Sequence, residues 1–285
     1  MTQRTVIVTG ANSGIGKETA VALASQGDRV VIACRNPDRS AAALAEIRER
    51  SGGSVESVPL DLASFASVRA AAASITDRFD RVDVLVNNAG LVLSKRAVTE
   101  DGFEMTFGVN HLGPFLFTTL LHDLLAAAGN ARVVTVASEA HFFAVGGLPW
   151  DDLQAVRFYN VWLTYGRSKL ANILFTQELA RRWASDGVVA SSVHPGIVAS
   201  NFAADGDTST FMSTGLRLLK PMTRTPSQGA DTSVWLATAE PGGDPTGSGT
   251  YWSSRRPGRL APWARREVDG ARLWTLSEEL IATSS

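Results

Sequence analysis

Cysteine is all but missing from this chain. Cys34 stands alone among 285 residues, so no internal disulfide can form, which suits a reducing compartment. Histidine is scarce too. His111, His122, His141 and His194 show no paired metal-ligand spacing, so no metal is expected. Charge of either sign is nearly cancelled, with 27 Lys and Arg against 28 Asp and Glu and a net charge of -1. No overall field therefore draws in nucleic acid or an anionic membrane. Long apolar runs are also lacking. Leu112 to Leu121 comes closest and carries Pro114, far short of the ~20 apolar residues that span a bilayer. Strand-like sequence begins at Thr5, which leaves no room for a secretory leader. The expectation is a soluble, cytoplasmic protein.

The hydrophobic fraction of 45% and charged fraction of 19% are those of a globular protein with a sizeable core. Short β-branched runs alternate with helical stretches: strands at 5–9, 29–34, 55–60, 82–86, 132–136 and 188–193, and helices through 25, over 40–50, 64–78, 102–128 and 159–185. The strand runs are continuously apolar, as in a parallel sheet covered on both faces. The pattern predicts one doubly wound α/β domain over residues 1–285, with a mostly parallel seven-stranded sheet. Two segments break the rhythm, 139–160 and 200–225. Both follow strand ends, where open α/β sheets bind ligands, and both are read as substrate-lid segments.

Gly10, Asn12, Ser13, Gly14, Ile15 and Gly16 lie between strand one and helix one. Gly10 suits a tight turn, Gly14 allows close backbone approach to a pyrophosphate, and Gly16 lets the helix pack on the strand. The helix then turns its free N–H groups and positive end toward the phosphates. The spacing is Gly-x-x-x-Gly-x-Gly. With Asp61-Leu62, Asn87-Asn88-Ala89-Gly90, Asn110, Ser138, Tyr165-Gly-Arg-Ser-Lys169 and Pro195-Gly196-Ile197-Val198 in order along the chain, it resembles the short-chain dehydrogenase/reductase family over nearly its whole length. Ala33-Cys-Arg-Asn36, Ser-Lys-Leu-Ala-Asn172 and His-Pro-Gly196 are similar to the retinol-dehydrogenase-like branch.

Dinucleotide sites selective for NAD place an acidic residue at the end of strand two. Here Cys34 and Arg35 stand there. A guanidinium can grip a 2′-phosphate, so NADP(H) is expected over NAD(H); the competing reading of Arg35 is a solvated loop charge. Tyr165 and Lys169 are four apart on a helix and share a face, with Cβ atoms roughly 5–6 Å apart. A nearby ammonium and a positive nicotinamide should both favour phenolate and pull the Tyr165 pKa down. Tyr165 would exchange a proton with the substrate oxygen while Lys169 bonds the nicotinamide ribose. Ser138, after strand five, would donate to that oxygen where charge develops.

The resemblance implies further roles. Asp61 would meet the adenine, with Leu62 beside it, and Asn88 to Gly90 would lie along the adenosine ribose. Asn110 would hold a water linking Lys169 to solvent. Pro195, Gly196, Ile197, Val198 and Ser200 would bend under the nicotinamide. His141, near Ser138, is read as structural or substrate-lining rather than as a base, and Cys34 as a small strand-end residue. Five arginines between Arg255 and Arg266 read as solvated surface, and Trp252, Trp263 and Trp274 as packing for the C-terminal segment. The leading reading is an oxidoreductase moving hydride between nicotinamide and a carbonyl or alcohol. Phe142, Phe143, Trp150, Phe202, Phe211 and Leu216 stand as pocket walls for a lipophilic small molecule. An epimerase or dehydratase on the same fold, which usually has an extended substrate domain, and a non-catalytic NADP(H) sensor, which expects a lost Tyr or Lys, are the alternatives. Helices near 102–128 and 159–185 resemble those that pair subunits in many family members, so a homo-oligomer is compatible with the sequence.

Overall fold

Continuous β-branched runs become strands buried along their whole length, as in β1 (Thr5–Thr9) and β5 (Arg132–Val136). The computed structural model describes residues 3–198, 223–238 and 247–284. The other strands are β2 (Arg29–Cys34), β3 (Val55–Pro59), β4 (Val84–Asn87), β6 (Val189–His194), β7 (Tyr251–Ser253) and β8 (Arg256–Pro257). They form one sheet in the order β3-β2-β1-β4-β5-β6-β7-β8. Every neighbouring pair is parallel except β7 and β8.

Among the described residues the sheet has eight strands rather than the seven expected, a correction to the sequence reading. β8 comes from a tight hairpin whose two central residues, Ser254 and Arg255, both have positive φ (54° and 57°). Such turns favour Asn and Gly, so Ser-Arg gave no signal. Tertiary bonds hold the turn instead: the Arg255 guanidinium pairs with Asp231, and its N–H reaches Thr232 Oγ1 at 3.3 Å.

Helices cover both faces. On one side α1 (Gly14–Ser25), α2 (Pro37–Ser51) and α8 (Pro226–Thr238) enclose Val6, Val8, Leu23, Ile32, Ile47 and Leu236. On the other, α3 (Phe65–Thr76), α5 (Gly113–Leu120), α7 (Val161–Arg182) and α9 (Glu267–Ala282) enclose Ile7, Leu85, Phe115, Leu174 and Trp274. Caps fix where helices start. Asn36 Oδ1 accepts from Arg39 N at 2.9 Å, and Pro37 supplies a ready-set φ at the first position. Asn160 Oδ1 accepts from Trp162 N and Leu163 N at 3.1 Å, which places Tyr165 one turn into α7.

The single helix expected over 102–128 is broken. It consists of α4 (Met105–Phe107), a π-helical turn over Gly108–Leu112, α5, and α6 (His122–Ala127). Pro114 has no N–H for the Asn110 carbonyl four residues back, and Gly113 presses on a neighbouring loop, where a Cβ would lie 2.5 Å from the Leu62 carbonyl oxygen. The wider turn meets both constraints. The buried Glu104 carboxylate caps this region through Thr106 N (2.9 Å) and Phe107 N (2.7 Å).

Trp252 and Trp274 are buried in the two opposite faces, and Trp263 packs on the core beside Gly147 with its indole N–H on the His141 carbonyl. The C-terminal segment is thus stitched to the domain by its indoles.

Because Gly113 sits against Leu62 with no room to spare, Gly113→Ala is expected to cost about 1–3 kcal/mol through overpacking. Urea unfolding measures this, and an unchanged midpoint would contradict the close approach.

Candidate active site

The strand order reverses between β1 and β4, whose following helices leave for opposite faces. Their carboxyl ends therefore open a crevice. The glycine turn enters it from β1. Gly10 and Gly14 have φ of 67° and 57°, a region that only glycine occupies without strain. A Cβ on Gly16 would lie 2.7 Å from the Gly10 carbonyl oxygen and 2.4 Å from Asn88 Nδ2. The helix behind the turn has no side-chain cap at Ser13 and no acidic residue in its first turn, so its N–H groups and positive end face an outside ligand. Asn12 and Ile15 are half-buried and Ser13 is exposed in this lip. An anionic phosphate matches this donor set, and the residues fit a dinucleotide.

A second loop, after β4, is locked onto the first. Thr9 Oγ1 accepts from Asn88 N and Ala89 N, each at 3.0 Å, and Asn88 Nδ2 donates to the Thr9 carbonyl at 2.9 Å. Gly90 follows at the point where a Cβ would sit 3.1 Å from Asn110 Oδ1 and 3.4 Å from Lys169 Nζ. The stretch Asn88-Ala89-Gly90 thus runs from the glycine turn to the lysine.

Asn110, fully buried in the π turn, pairs its amide with the backbone of Leu91 (2.7 and 2.9 Å) and donates to Ser168 Oγ at 3.0 Å. Its side chain is committed to those partners, so a relay water would use its main-chain carbonyl. Ser138 starts a 3-10 turn (Glu139–Phe143) after β5, and its hydroxyl is hydrogen-bonded to the Tyr165 phenol. Lys169 is 2% exposed, donates to the Val136 carbonyl at 2.9 Å, and holds its ammonium 5.6 Å from the centre of the Tyr165 ring. Ser138, Asn110, Tyr165 and Lys169 therefore occupy one end of the crevice.

The electrostatics differ from the expectation in one respect. Burial pushes the Tyr165 phenol up, and only its bond to Ser138 pulls the other way. Burial also drives Lys169 down, to about 8. Of the two causes expected to lower Tyr165, an ammonium and a positive nicotinamide, the Lys169 ammonium by itself does not offset desolvation of the phenol. Burial thus holds the phenol toward its protonated form.

The remaining residues fall as follows. Arg35 is exposed directly after β2, with the buried Cys34 before it. Asp61 Oδ1 accepts from Ala63 N at 2.9 Å. The Leu62 side chain lies in the core against Gly113, which leaves only its backbone for a ligand. Pro195 is buried, Gly196 has a φ of 88°, and Ile197 is exposed. Val198 and Ile15 both pack against Gly229 of α8, where a Cβ would lie 2.7 Å from Val198 Cγ2 and 3.1 Å from Ile15 Cγ1. Phe142 and Phe143 are exposed near the site, while Trp150 lies elsewhere, under the Arg272 guanidinium. Ser200, Phe202, Phe211, Leu216 and most of the 200–225 lid lie outside the described residues. Among the described residues no group of His, Cys, Asp and Glu could hold a metal ion, and no helix is long and apolar enough to cross a membrane.

Sequence reasoning missed three residues. Thr9 joins the two loops. Ser168, within the Tyr-to-Lys stretch, supports Asn110. Arg224 clamps the loop after β6: its N–H donates to the Ile197 carbonyl at 2.8 Å, and its guanidinium reaches Ser254 Oγ at 2.8 Å and the Pro195 carbonyl at 3.4 Å. Only Thr9 carried a signal, as the residue beside Gly10.

This fold, with a phosphate-binding turn and a Ser-Tyr-Lys cluster at the strand tips, defines the class of nicotinamide-dependent oxidoreductases. The model of the short chain dehydrogenase family matches residues 4–150. Over 283 residues the chain is 42% identical to Retinol dehydrogenase 13 of Homo sapiens, covering 98% of this chain and 84% of that protein. It is 43% identical to Retinol dehydrogenase 12 of Homo sapiens over 279 residues, covering 98% and 86%. Among solved structures, an uncharacterised protein from Mycobacterium paratuberculosis is similar, with a TM-score of 0.78, 36% identity and coverage of 98% and 93%. So is a variant of actinorhodin polyketide ketoreductase with NADPH, with a TM-score of 0.69, 25% identity and coverage of 88% and 95%. The chain belongs to the short-chain dehydrogenase/reductase family, in its retinol-dehydrogenase-like branch. It is an oxidoreductase acting on CH–OH groups.

Burial of the Lys169 ammonium has a consequence for stability. Its pKa is about 8 in the folded chain against 10.5 for an ordinary lysine, so between those values the unfolded chain binds more protons. Wild-type stability therefore rises with pH across that window. Relative to Lys169→Met, the wild type is expected to gain on the order of 1–3 kcal/mol between pH 7 and pH 10. Urea unfolding at several pH values reads the difference, and a pH-independent gap would refute the assignment.

Proposed function

We propose that the chain is an NADP(H)-dependent oxidoreductase that interconverts a carbonyl and an alcohol on a lipophilic small molecule. The observation that carries this reading is the meeting of the Ser138 hydroxyl with the Tyr165 phenol, beside the Lys169 ammonium and at the end of a glycine turn built for a dinucleotide. A bound nicotinamide supplies or accepts the hydride.

The chain's own residues handle the oxygen. In reduction Tyr165 gives its proton to the substrate oxygen, a task suited to a phenol that burial keeps protonated. Ser138 donates a hydrogen bond to the same oxygen as negative charge builds on it. Lys169, next to Gly90, holds positive charge beside the phenol and favours the phenolate left after transfer. In oxidation the same groups run in reverse. Asn110 keeps the loop carrying Leu91 against α7 and so fixes the distance between Gly90 and Lys169.

Two further features support the finer reading. No carboxylate stands at the end of β2, and Arg35 is exposed there, an arrangement that accepts a 2′-phosphate and that a carboxylate would oppose. A ketoreductase of the same fold carries NADPH. For the substrate, Phe143 packs beside Gly166, next to Tyr165, and meets Trp162 with ring centres 6.3 Å apart. Both rings are about half exposed, at 54% and 48%, and Ile197 adds another exposed apolar surface. An apolar mouth of this kind suits an apolar substrate, in keeping with relatives named for retinol.

Tyr165→Phe is expected to lower turnover of NADPH with aldehydes and ketones by about 10²- to 10⁴-fold, while NADPH binding measured by fluorescence is retained. Turnover left intact in that variant would sink the proton-transfer role. Arg35→Ala should weaken NADPH by about tenfold, or roughly 1.4 kcal/mol, and NADH far less. Equal losses for the two cofactors would overturn the preference.

A further inference from the structure

His141 is fully buried, and every polar atom it carries has a partner. Its Nδ1 lies 2.7 Å from the Ser138 carbonyl oxygen, and its own backbone N–H reaches the same oxygen at 3.1 Å. Its Nε2 accepts from Ala261 N at 3.2 Å, and its carbonyl accepts from Trp263 Nε1 at 3.1 Å. The ring is wedged edge-on against Tyr251, with centres 5.2 Å apart. These partners leave one tautomer. A carbonyl can only accept, so Nδ1 bears the hydrogen; an amide N–H can only donate, so Nε2 is bare. Burial, which pushes the imidazole pKa down, keeps the ring neutral.

The residue held by this ring is the one whose hydroxyl meets Tyr165. Ser138 is extended, with φ -164° and ψ 155°, and its Oγ accepts from Ala140 N at 3.1 Å. The bond to Ser138 works against the upward push on the phenol, as a bond donated to the phenol oxygen does, so the hydroxyl hydrogen points at the phenol. The position of Ala140 N depends on the tight turn that His141 closes from both its backbone and its ring. We propose that His141 is a positioning residue for the reaction, whose Nδ1–H clamps the Ser138 carbonyl and so aims the Ser138 hydroxyl, with the segment around Ala261 and Trp263 bracing the clamp from behind. This rests on the reading of Ser138 and Tyr165 given above. A histidine three residues after the serine would otherwise be only a core residue. What separates the two roles is that a core residue does not care which nitrogen is replaced, whereas a clamp does.

Two substitutions split the imidazole. Asparagine places an amide N–H near the Nδ1 position and drops the partner of Ala261. Glutamine places its amide near Nε2, where it can still accept from Ala261, and drops the hold on Ser138. His141→Gln is expected to lower kcat by about 10- to 100-fold, the range of a misaimed catalytic group, with NADPH affinity unchanged. His141→Asn should keep kcat within about threefold although its melting temperature falls. Equal kcat losses in the two variants, or a wild-type kcat in His141→Gln, overturn the proposal. In a Ser138→Ala background His141→Gln should have no further effect on kcat, since the clamp has nothing to aim; additive losses overturn it as well. If Ser138→Ala itself retains full turnover, the reading of the site fails, and that result is distinct from a failure of the clamp. Nitrogen NMR of the imidazole in the wild-type protein at pH 7 tests the basis without any variant. The hydrogen is expected on Nδ1, and a hydrogen on Nε2 refutes the clamp.

Discussion

The site depends on one small lock at the switch point of the sheet. Thr9 ends β1, and its hydroxyl takes the N–H groups of Asn88 and Ala89, which follow β4, while the Asn88 amide returns a bond to the Thr9 carbonyl. Two loops that must diverge to opposite faces are thereby held at a fixed separation. The glycine turn lies on one side of the lock, and Gly90 leads to Lys169 on the other. Both halves of the crevice are dimensioned by this contact. It also explains why glycine is required at 10 and 16: a Cβ at either position would run into Asn88 or Ala89.

The Ser-Tyr-Lys cluster is held in a state of electrostatic tension. An ammonium that is 2% exposed and tied to a single carbonyl is costly to the fold. A phenol nearby is pushed toward its protonated form by the same desolvation. These are the costs expected where a fold serves chemistry rather than its own stability. The surroundings repay them with rigidity: a capped α7, a π turn that seats Asn110, and a histidine that meets all its partners within a buried turn.

Much of the architecture was legible in the chain. Period and composition determined the alternation of strands and helices, because a strand covered on both faces must be apolar throughout. The glycine spacing gave the turn, since positive φ at 10 and 14 admits little else. The i, i+4 spacing of Tyr165 and Lys169 put both on one face of α7. What escaped was whatever depended on distant partners. The β7-β8 hairpin turns at Ser254 and Arg255, whose backbone conformation is held by Asp231 and Thr232 rather than by local preference. Arg224 acts on a loop nearly thirty residues earlier.

The sequence by itself set the fold class, the place of the glycine turn and the residue types of the Ser-Tyr-Lys cluster, because each follows from local periodicity, backbone freedom or spacing on one helix. Only the tertiary structure decided the break in the helix at Asn110, the upward push on Tyr165, the burial that lowers Lys169, and the tautomer of His141. Each of these depends on which groups from remote parts of the chain exclude water from that residue or bond to it, and a linear pattern holds no record of such neighbours.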